Sequence, residues 1–279
     1  MTAVTFTNLD RVLWPEAGRT KGDLVEYYRA VAPWLLPHLA DRHLTLWRFP
    51  EGVHRGGFWQ NECRGAPAWM RTAEVRGQRF CVVDDLDSLL WLANLSTVEL
   101  HPFLSTVSEP ERPTAVVFDL DPGPAADILD CREIALRLRE RVGLDLRVKT
   151  SGSVGLHLAA PVDGASFEET KALARGLAEE LAAEEPDRVT AMPRRLDRGG
   201  RVFVDWLQNN ATRSTVAPYS LRGAPFPTVS TPVTWDELEA ARRPEELTFL
   251  APAVLERLER HGDLWADMAR ADTSRGQSP

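Results

Sequence analysis

Between residues 114 and 206 the chain alternates strand-like and helix-like runs in an order that few folds accept. Residues 114–121 (Thr-Ala-Val-Val-Phe-Asp-Leu-Asp) are an apolar run that ends in two aspartates and is bounded by Pro122-Gly123, which predicts a strand. Residues 125–142 place Ile128, Cys131, Ala135, Leu138 and Val142 on one face and close at Gly143, which predicts a helix. A strand over 145–150, a small turn over 151–155 and a strand over 156–162 follow. Ser166 with Glu169 opens a helix that carries Leu173, Leu177 and Leu181 and is stopped by Pro186. Residues 201–206 make the fourth strand.

The order is β-α-β-β-α-β, the split βαβ plan of ferredoxin-like and RNA-recognition-type sheets. Right-handed crossovers put the first strand at the sheet centre, flanked by the third and fourth, both antiparallel to it. The end of strand one, with Asp119 and Asp121, then lies beside His157 on strand three and Asp205 on strand four.

A strand alternates faces with period 2, so Asp119 and Asp121 point the same way. Two adjacent anions are costly unless protons or cations neutralise them. Oxygen ligands suit hard divalent metals, so Asp119, Asp121 and Asp205 predict a two-ion Mn²⁺ or Mg²⁺ site. The plainer alternatives are a solvated Asp-rich turn and, for Asp205, pairing with an arginine.

Other candidates gather around this strand end. The turn Thr150-Ser-Gly-Ser-Val-Gly155 can offer backbone N–H groups and the Ser151 hydroxyl to an anion, although any hairpin can use such a turn. His157 can donate to a phosphate oxygen or be an ordinary strand histidine. Arg198, Gln208 and Arg222 bracket the Asp205 strand and suit phosphate, or surface ion pairs. His101 ends a strand before Pro102. Phe58 and Trp59 follow Gly56-Gly57 on a loop and can stack on bases, or anchor a core.

The N-terminal third reads as a mixed module. Thr20 with Asp23 caps a helix bearing Leu24, Tyr28, Val31 and Leu35, which Pro37 ends. Strands are expected over 44–49, 79–83 and 97–101, a Gly-rich loop over 50–59 and a helix over 86–95. A Pro-containing connector over 102–113 separates residues 1–110 from a catalytic module, 111–268. Thr234 with Glu237 caps a short helix, a last helix runs from about Ala251 to Arg260 and ends near Gly262, and 269–279 reads as a disordered tail.

With 279 residues, a net charge of −8 argues against a polynucleotide partner unless positive charge is local. Arg194, Arg195, Arg198 and Arg201 supply such a cluster, opposed by Asp197 alone. The three cysteines, Cys63, Cys81 and Cys131, show no metal or disulfide spacing. With no signal segment and no membrane span expected, a cytoplasmic, nucleoid-associated setting follows.

Four ordered segments carry a resemblance: Phe118-Asp-Leu-Asp-Pro-Gly123, Lys149-Thr-Ser-Gly-Ser-Val-Gly-Leu-His157, Val202-Phe-Val-Asp-Trp-Leu-Gln-Asn209 and Ala217-Pro-Tyr-Ser-Leu-Arg-Gly223. They resemble the polymerase domain of bacterial DNA ligase D, of the archaeo-eukaryotic primase superfamily, in a stand-alone form. The resemblance implies an α+β primase-like fold, with an N-terminal α/β module packed on an RNA-recognition-like catalytic module. It implies template-directed, metal-dependent nucleotidyl transfer that fills gaps or extends ends in double-strand break repair by non-homologous end joining. Asp119, Asp121 and Asp205 would hold two Mn²⁺ or Mg²⁺ ions. His101, Ser151, His157, Arg198, Gln208 and Arg222 would surround an NTP or dNTP. Arg11 and Lys21 would approach a 5′-phosphate, and Phe58 and Trp59 the template or incoming base. The partners implied are gapped or overhanging DNA ends, a separate ATP-dependent ligase and Ku.

The chain departs from the family at Val154, Arg11 and Asn61, where relatives commonly carry lysine. Loss of charge at Val154 predicts weaker triphosphate binding or compensation by Lys149. Two other functions compete: a non-catalytic module that binds gapped DNA ends, and an Asp-x-Asp phosphatase with Asp119 as nucleophile, which Pro122 disfavours because those motifs usually continue with Thr or Val.

Overall fold

A computed structural model describes residues 4–194 and 198–270, which divide into two compact units. Among the described residues, the first runs to Pro110 and is joined by Ser214–Ser230 and Phe249–Asp263; the second comprises Glu111–Arg213, Thr231–Thr248 and the chain from Leu264 to Arg270. The sequence reading left everything from 111 to 268 in one module. Two segments instead return to the first unit, because they satisfy backbone groups there: Thr215 N–H donates to Pro102 O and Ala217 N–H to Leu100 O. Such short polar segments have no periodicity to betray their destination.

The first unit opens with a ribbon of β1 (Val12–Trp14) and β2 (Arg19–Thr20), followed by α1 (Lys21–Leu39). The Thr20–Asp23 capping box is present. Pro37 does not end α1, which passes through both Pro33 and Pro37. Burial of Leu35 and Leu39 outweighs the backbone bonds those rings remove. The sheet contains β3 (His43–Arg48), β4 (Phe58–Gln60), β5 (Thr72–Val75) and β6 (Gln78–Val82); after α2 (Leu86–Asn94), β7 (Thr97–Pro102) adds to it. β3 takes β7 on one edge, and β6 and then β4 on the other. Phe58 and Trp59 therefore sit on a paired strand, not on the expected loop.

Cys63 and Cys81 are joined in a disulfide, with Cα atoms 4.9 Å apart. This overturns the reading of unpaired cysteines. Cys63 N–H donates to Arg79 O, so the irregular segment after β4 lies against β6. Among the described residues Cys131 is the free cysteine, buried, its thiol pushed up by burial and by nearby aspartates.

His43 is buried between Phe103, stacked at 3.9 Å, and Phe80, edge-on at 5.1 Å, and neither ring nitrogen has a partner. Burial, with the charges of Arg76 and Arg42, lowers its pKa to about 4. The unfolded chain takes up a proton near pH 6.5 that the folded ring refuses until about pH 4. His43 thus supports the fold fully above pH 6.5, and that support fades as pH falls towards 4. His43→Leu should flatten the acid loss by on the order of 2 kcal/mol, measured by urea unfolding at pH 7 and pH 4.5. Equal acid slopes in both proteins would remove His43 as the cause.

The second unit holds β8 (Ala115–Pro122), α3 (Ile128–Arg141), β9 (Arg147–Thr150), β10 (Leu156–Pro161), α4 (Phe167–Glu184), β11 (Val189–Thr190), β12 (Val202–Asp205), β13 (Pro232–Val233) and α5 (Trp235–Ala240). The chain closes with α6 (Ala251–His261), in the first unit, and α7 (Ala266–Arg270), in the second. The expected tail thus overlaps α7 at residues 269–270, and residues 271–279 lie outside the described set. α3 starts three residues later than expected because Asp127 and Asp130 form an unanticipated capping box. The sheet order is β11-β12-β8-β10-β9-β13, with β12 and β10 both antiparallel to β8. This is the central-strand arrangement expected from the sequence, widened by β13 and by β11, parallel to β12. Phe118 and Leu120 are buried and α3 and α4 both pack against β8, while the alternate positions carry the aspartates. No helix among the described residues is long and apolar enough to cross a membrane.

Candidate active site

Register alignment builds the site. Asp119 on β8 pairs with Asp205 on β12 and with His157 on β10; His157 in turn pairs with Lys149 on β9. One row across four strands therefore reads Asp205, Asp119, His157, Lys149, and Asp121 lies two residues along from Asp119 on the same face. Because a one-residue slip would turn every one of these side chains to the other face, the buried Phe118–Leu120 face fixes the site.

The carboxylates are tied by protein donors. Gln208 Nε2 lies 3.3 Å from Asp119 Oδ2 and 3.4 Å from Asp205 Oδ2. Leu207 N–H donates to Asp205 Oδ1 at 2.8 Å. Burial raises the Asp205 carboxyl above its ordinary range; the Leu207 bond opposes this and the Asp121 charge adds to it. Arg198 reaches Asp121 Oδ2 at 3.2 Å with its guanidinium over the Phe203 ring, and its Nε is buried without a partner among the described residues. The expected arginine cluster is thus not a uniform outward patch. Arg194 is exposed, Arg198 turns inward, Arg201 Nε donates to Arg198 O, and Arg195 and Asp197 lie outside the described residues.

Asn209 is a positioning residue that sequence reasoning passed over. Its side-chain amide donates to Val117 O at 2.7 Å and accepts from Val117 N–H at 2.8 Å. The side chain continues the β8 ladder beyond the end of β12 and fixes the chain just after Gln208. Asn209 is marked by its complete burial next to a strand end, and burial is not visible in sequence.

Lys149 is 1% exposed and donates from Nζ to His157 Nδ1 at 3.2 Å, with its ammonium near the Trp265 ring. The ring proton is then on Nε2, which faces Asp119 Oδ1 at 3.3 Å. Lys149 is thus engaged with the imidazole, and Val154, on the turn, is exposed. The turn is also less open than expected: Ser153 and Gly155 N–H groups both donate to Ser151 Oγ at 3.1 Å, so Ser151 has its hydroxyl proton left to offer.

Asp119, Asp121, Asp205, His157, Arg198 and Gln208 thus converge on one sheet end, with Ser151 on the adjoining turn. Among the described residues no three His, Cys, Asp or Glu side chains are already clustered as a metal-holding group. Gln208 and Arg198 occupy the carboxylates instead. The donor set still fits a hard divalent cation: it is all-oxygen, on neighbouring strand positions, and burial makes an uncompensated charge on Asp205 costly.

The remaining candidates belong to the first unit. His101 and Arg222 meet at Glu99, and Trp59 stands edge-on to His101 at 4.8 Å. Phe58 lies under the Arg48 guanidinium. Lys21, at the first turn of α1, is 4% exposed and donates to Thr7 O at 2.5 Å, and burial, then the Arg11 charge, lowers its pKa. Arg11 bonds Pro50 O and pairs with Glu51, and Asn61 is exposed.

Residues 20–265 match the family described as LigD, primase-polymerase domain. The chain is 37% identical over 276 residues to the multifunctional non-homologous end joining protein LigD of Mycolicibacterium smegmatis, spanning 95% of this chain and 36% of that protein. It is 30% identical over 271 residues to the bifunctional non-homologous end joining protein LigD of Bacillus subtilis, spanning 95% and 44%. The chain thus covers less than half the length of these curated relatives. Its fold is similar to the polymerase domain from Mycobacterium tuberculosis ligase D in complex with DNA, with a TM-score of 0.88, 35% identity, and coverage of 98% of this chain and 99% of that one.

Proposed function

The chain belongs to the LigD primase-polymerase domain family, and from that premise we propose that it performs template-directed nucleotidyl transfer, filling gaps or extending ends during double-strand break repair by non-homologous end joining. The observation that carries this reading is the carboxylate row, in which Asp205, Asp119 and His157 occupy directly paired positions on three adjacent strands with Asp121 beside them.

Asp119, Asp121 and Asp205 would hold two Mn²⁺ or Mg²⁺ ions. Bound there, such ions make a primer 3′-hydroxyl more acidic and offset charge on the departing pyrophosphate. The protein's own groups do the rest. Gln208 and Arg198, which satisfy the carboxylates, carry N–H groups that also suit phosphate oxygens. His157 offers its Nε2 proton, kept on that nitrogen by Lys149, and Ser151 offers its hydroxyl proton. His101 and Arg222 contact the incoming NTP or dNTP, Phe58 and Trp59 the template or base, and Arg11 and Lys21 the 5′-phosphate across a gap. Gapped or overhanging DNA ends are the substrate, an ATP-dependent DNA ligase activity and Ku the partners, and the nucleoid-associated cytoplasm the setting.

The test is primer–template extension across an Mn²⁺ and Mg²⁺ titration. Incorporation that depends on both template and metal supports the reading. Retained DNA binding with no incorporation at any metal concentration would leave a non-catalytic end-binding module. Arg222→Ala should raise the nucleotide KM roughly 10- to 100-fold by removing a charge-assisted bond; an unchanged steady-state KM would take Arg222 out of the nucleotide site.

A further inference from the structure

Glu99 was not among the candidate residues, yet it is the point at which three donors meet. It is 1% exposed on β7. Its Oε2 accepts from His101 Nε2 at 2.8 Å and lies 3.1 Å from Arg222 NH1, and its Oε1 accepts from Gly223 N–H at 2.8 Å. Burial alone would raise this carboxyl; the His101 bond, the Arg222 charge and the Gly223 N–H outweigh it and hold the group below its usual range. A buried anion of this kind is a poor way to stabilise a sheet, since apolar replacements commonly do as well. Its geometry instead suits holding other groups still.

The surroundings support that role. Glu99 pairs across the sheet with Trp47, and Trp47 pairs with Trp59, so these three side chains form one row. Trp47 and Trp59 stack at 4.7 Å, and Trp59 stands edge-on to His101, the next residue on the Glu99 face of β7. Arg222 Nε is buried with no partner. At Gly223 an added Cβ would lie 2.1 Å from Phe49 Cζ, so the backbone approaches Phe49 more closely than any side chain allows.

We propose that Glu99 is a positioning residue that fixes the Nε2-protonated imidazole of His101 and the guanidinium of Arg222 in one orientation for the incoming nucleotide. The proposal rests on the reading of His101 and Arg222 as nucleotide contacts given above. Glu99 does not itself touch the nucleotide; it acts through its two partners and through the Gly223 backbone.

Steady-state extension on one gapped substrate, with nucleotide varied, tests it through Glu99→Gln, Arg222→Ala and the double variant. Glu99→Gln keeps the shape but removes the charge and turns an amide N–H towards existing donors. It should raise nucleotide KM roughly 10- to 100-fold, as Arg222→Ala does, with DNA affinity within about twofold of the parent. The double variant should be within about threefold of the worse single variant, because both remove one unit. A nucleotide KM within about twofold of the parent for Glu99→Gln, while Arg222→Ala raises it, overturns the proposal and leaves the function standing. So do multiplying effects in the double variant. No effect of Arg222→Ala removes the nucleotide assignment of Arg222 and the proposal with it. If Glu99→Gln does not fold, ¹⁵N spectra of the intact protein carry the test: His101 protonated at Nε2 supports the proposal, and a neutral ring protonated at Nδ1 overturns it.

Discussion

Asp119→Ala is expected to lower primer extension by on the order of a thousandfold or more while DNA affinity stays near that of the parent. Asp119 is the centre of the row, in register with Asp205 on one side and His157 on the other. Its removal takes away one proposed cation ligand and leaves both the Gln208 amide and the His157 Nε2 proton without this acceptor. Stability should move little, because the lost bonds are offset by relief of crowding among three carboxylates. Extension in Mn²⁺, fluorescence anisotropy with gapped DNA and thermal midpoints separate these effects. Extension above about a tenth of the parent rate would exclude Asp119 from the reacting centre. Loss of folding together with activity would mean that the row is structural.

Gly155→Ala should cost about 3 kcal/mol or more of stability and abolish extension with it. A Cβ there would sit 2.1 Å from Leu120 O, a backbone atom of the central strand with no side-chain freedom to yield. To admit it, β10 must move off β8, and the pairs Leu156–Leu120 and His157–Asp119 move with it. Gly143→Ala is the control for conformational strain alone: Gly143 has φ +66°, and nothing lies within 4 Å of its added Cβ. That change should cost only about 1 kcal/mol. Urea unfolding of both variants checks the contrast. Equal losses would show that close approach at Leu120 does not set the register.

Much of the second unit was legible because its signals are local. The apolar run of residues 115–120, the amphipathic face of α3 and the Ser166 cap of α4 each depend on residues within one or two turns of one another. Their order restricts the topology to a central β8, which places Asp205 and His157 next to Asp119. The first unit was less legible. Pro37 looked like a helix stop because the burial that overrides it is not local. Phe58 and Trp59 looked like loop residues because the three-residue β4 is stabilised by its pairing with β3. The disulfide between Cys63 and Cys81 had no recognisable spacing, since a hydrogen bond to Arg79 sets the approach.

Local pattern carried the strands and helices of the second unit, and with them the fact that two aspartates share a face at a strand end. Tertiary structure decided the partners: Gln208 between Asp119 and Asp205, Lys149 behind His157, Glu99 between His101 and Arg222. Periodicity is a property of a few consecutive residues and is written in the chain. A hydrogen bond between residues 89 or 124 positions apart exists only after the backbone has closed the intervening loops, and no local preference encodes which distant group will be there to accept it.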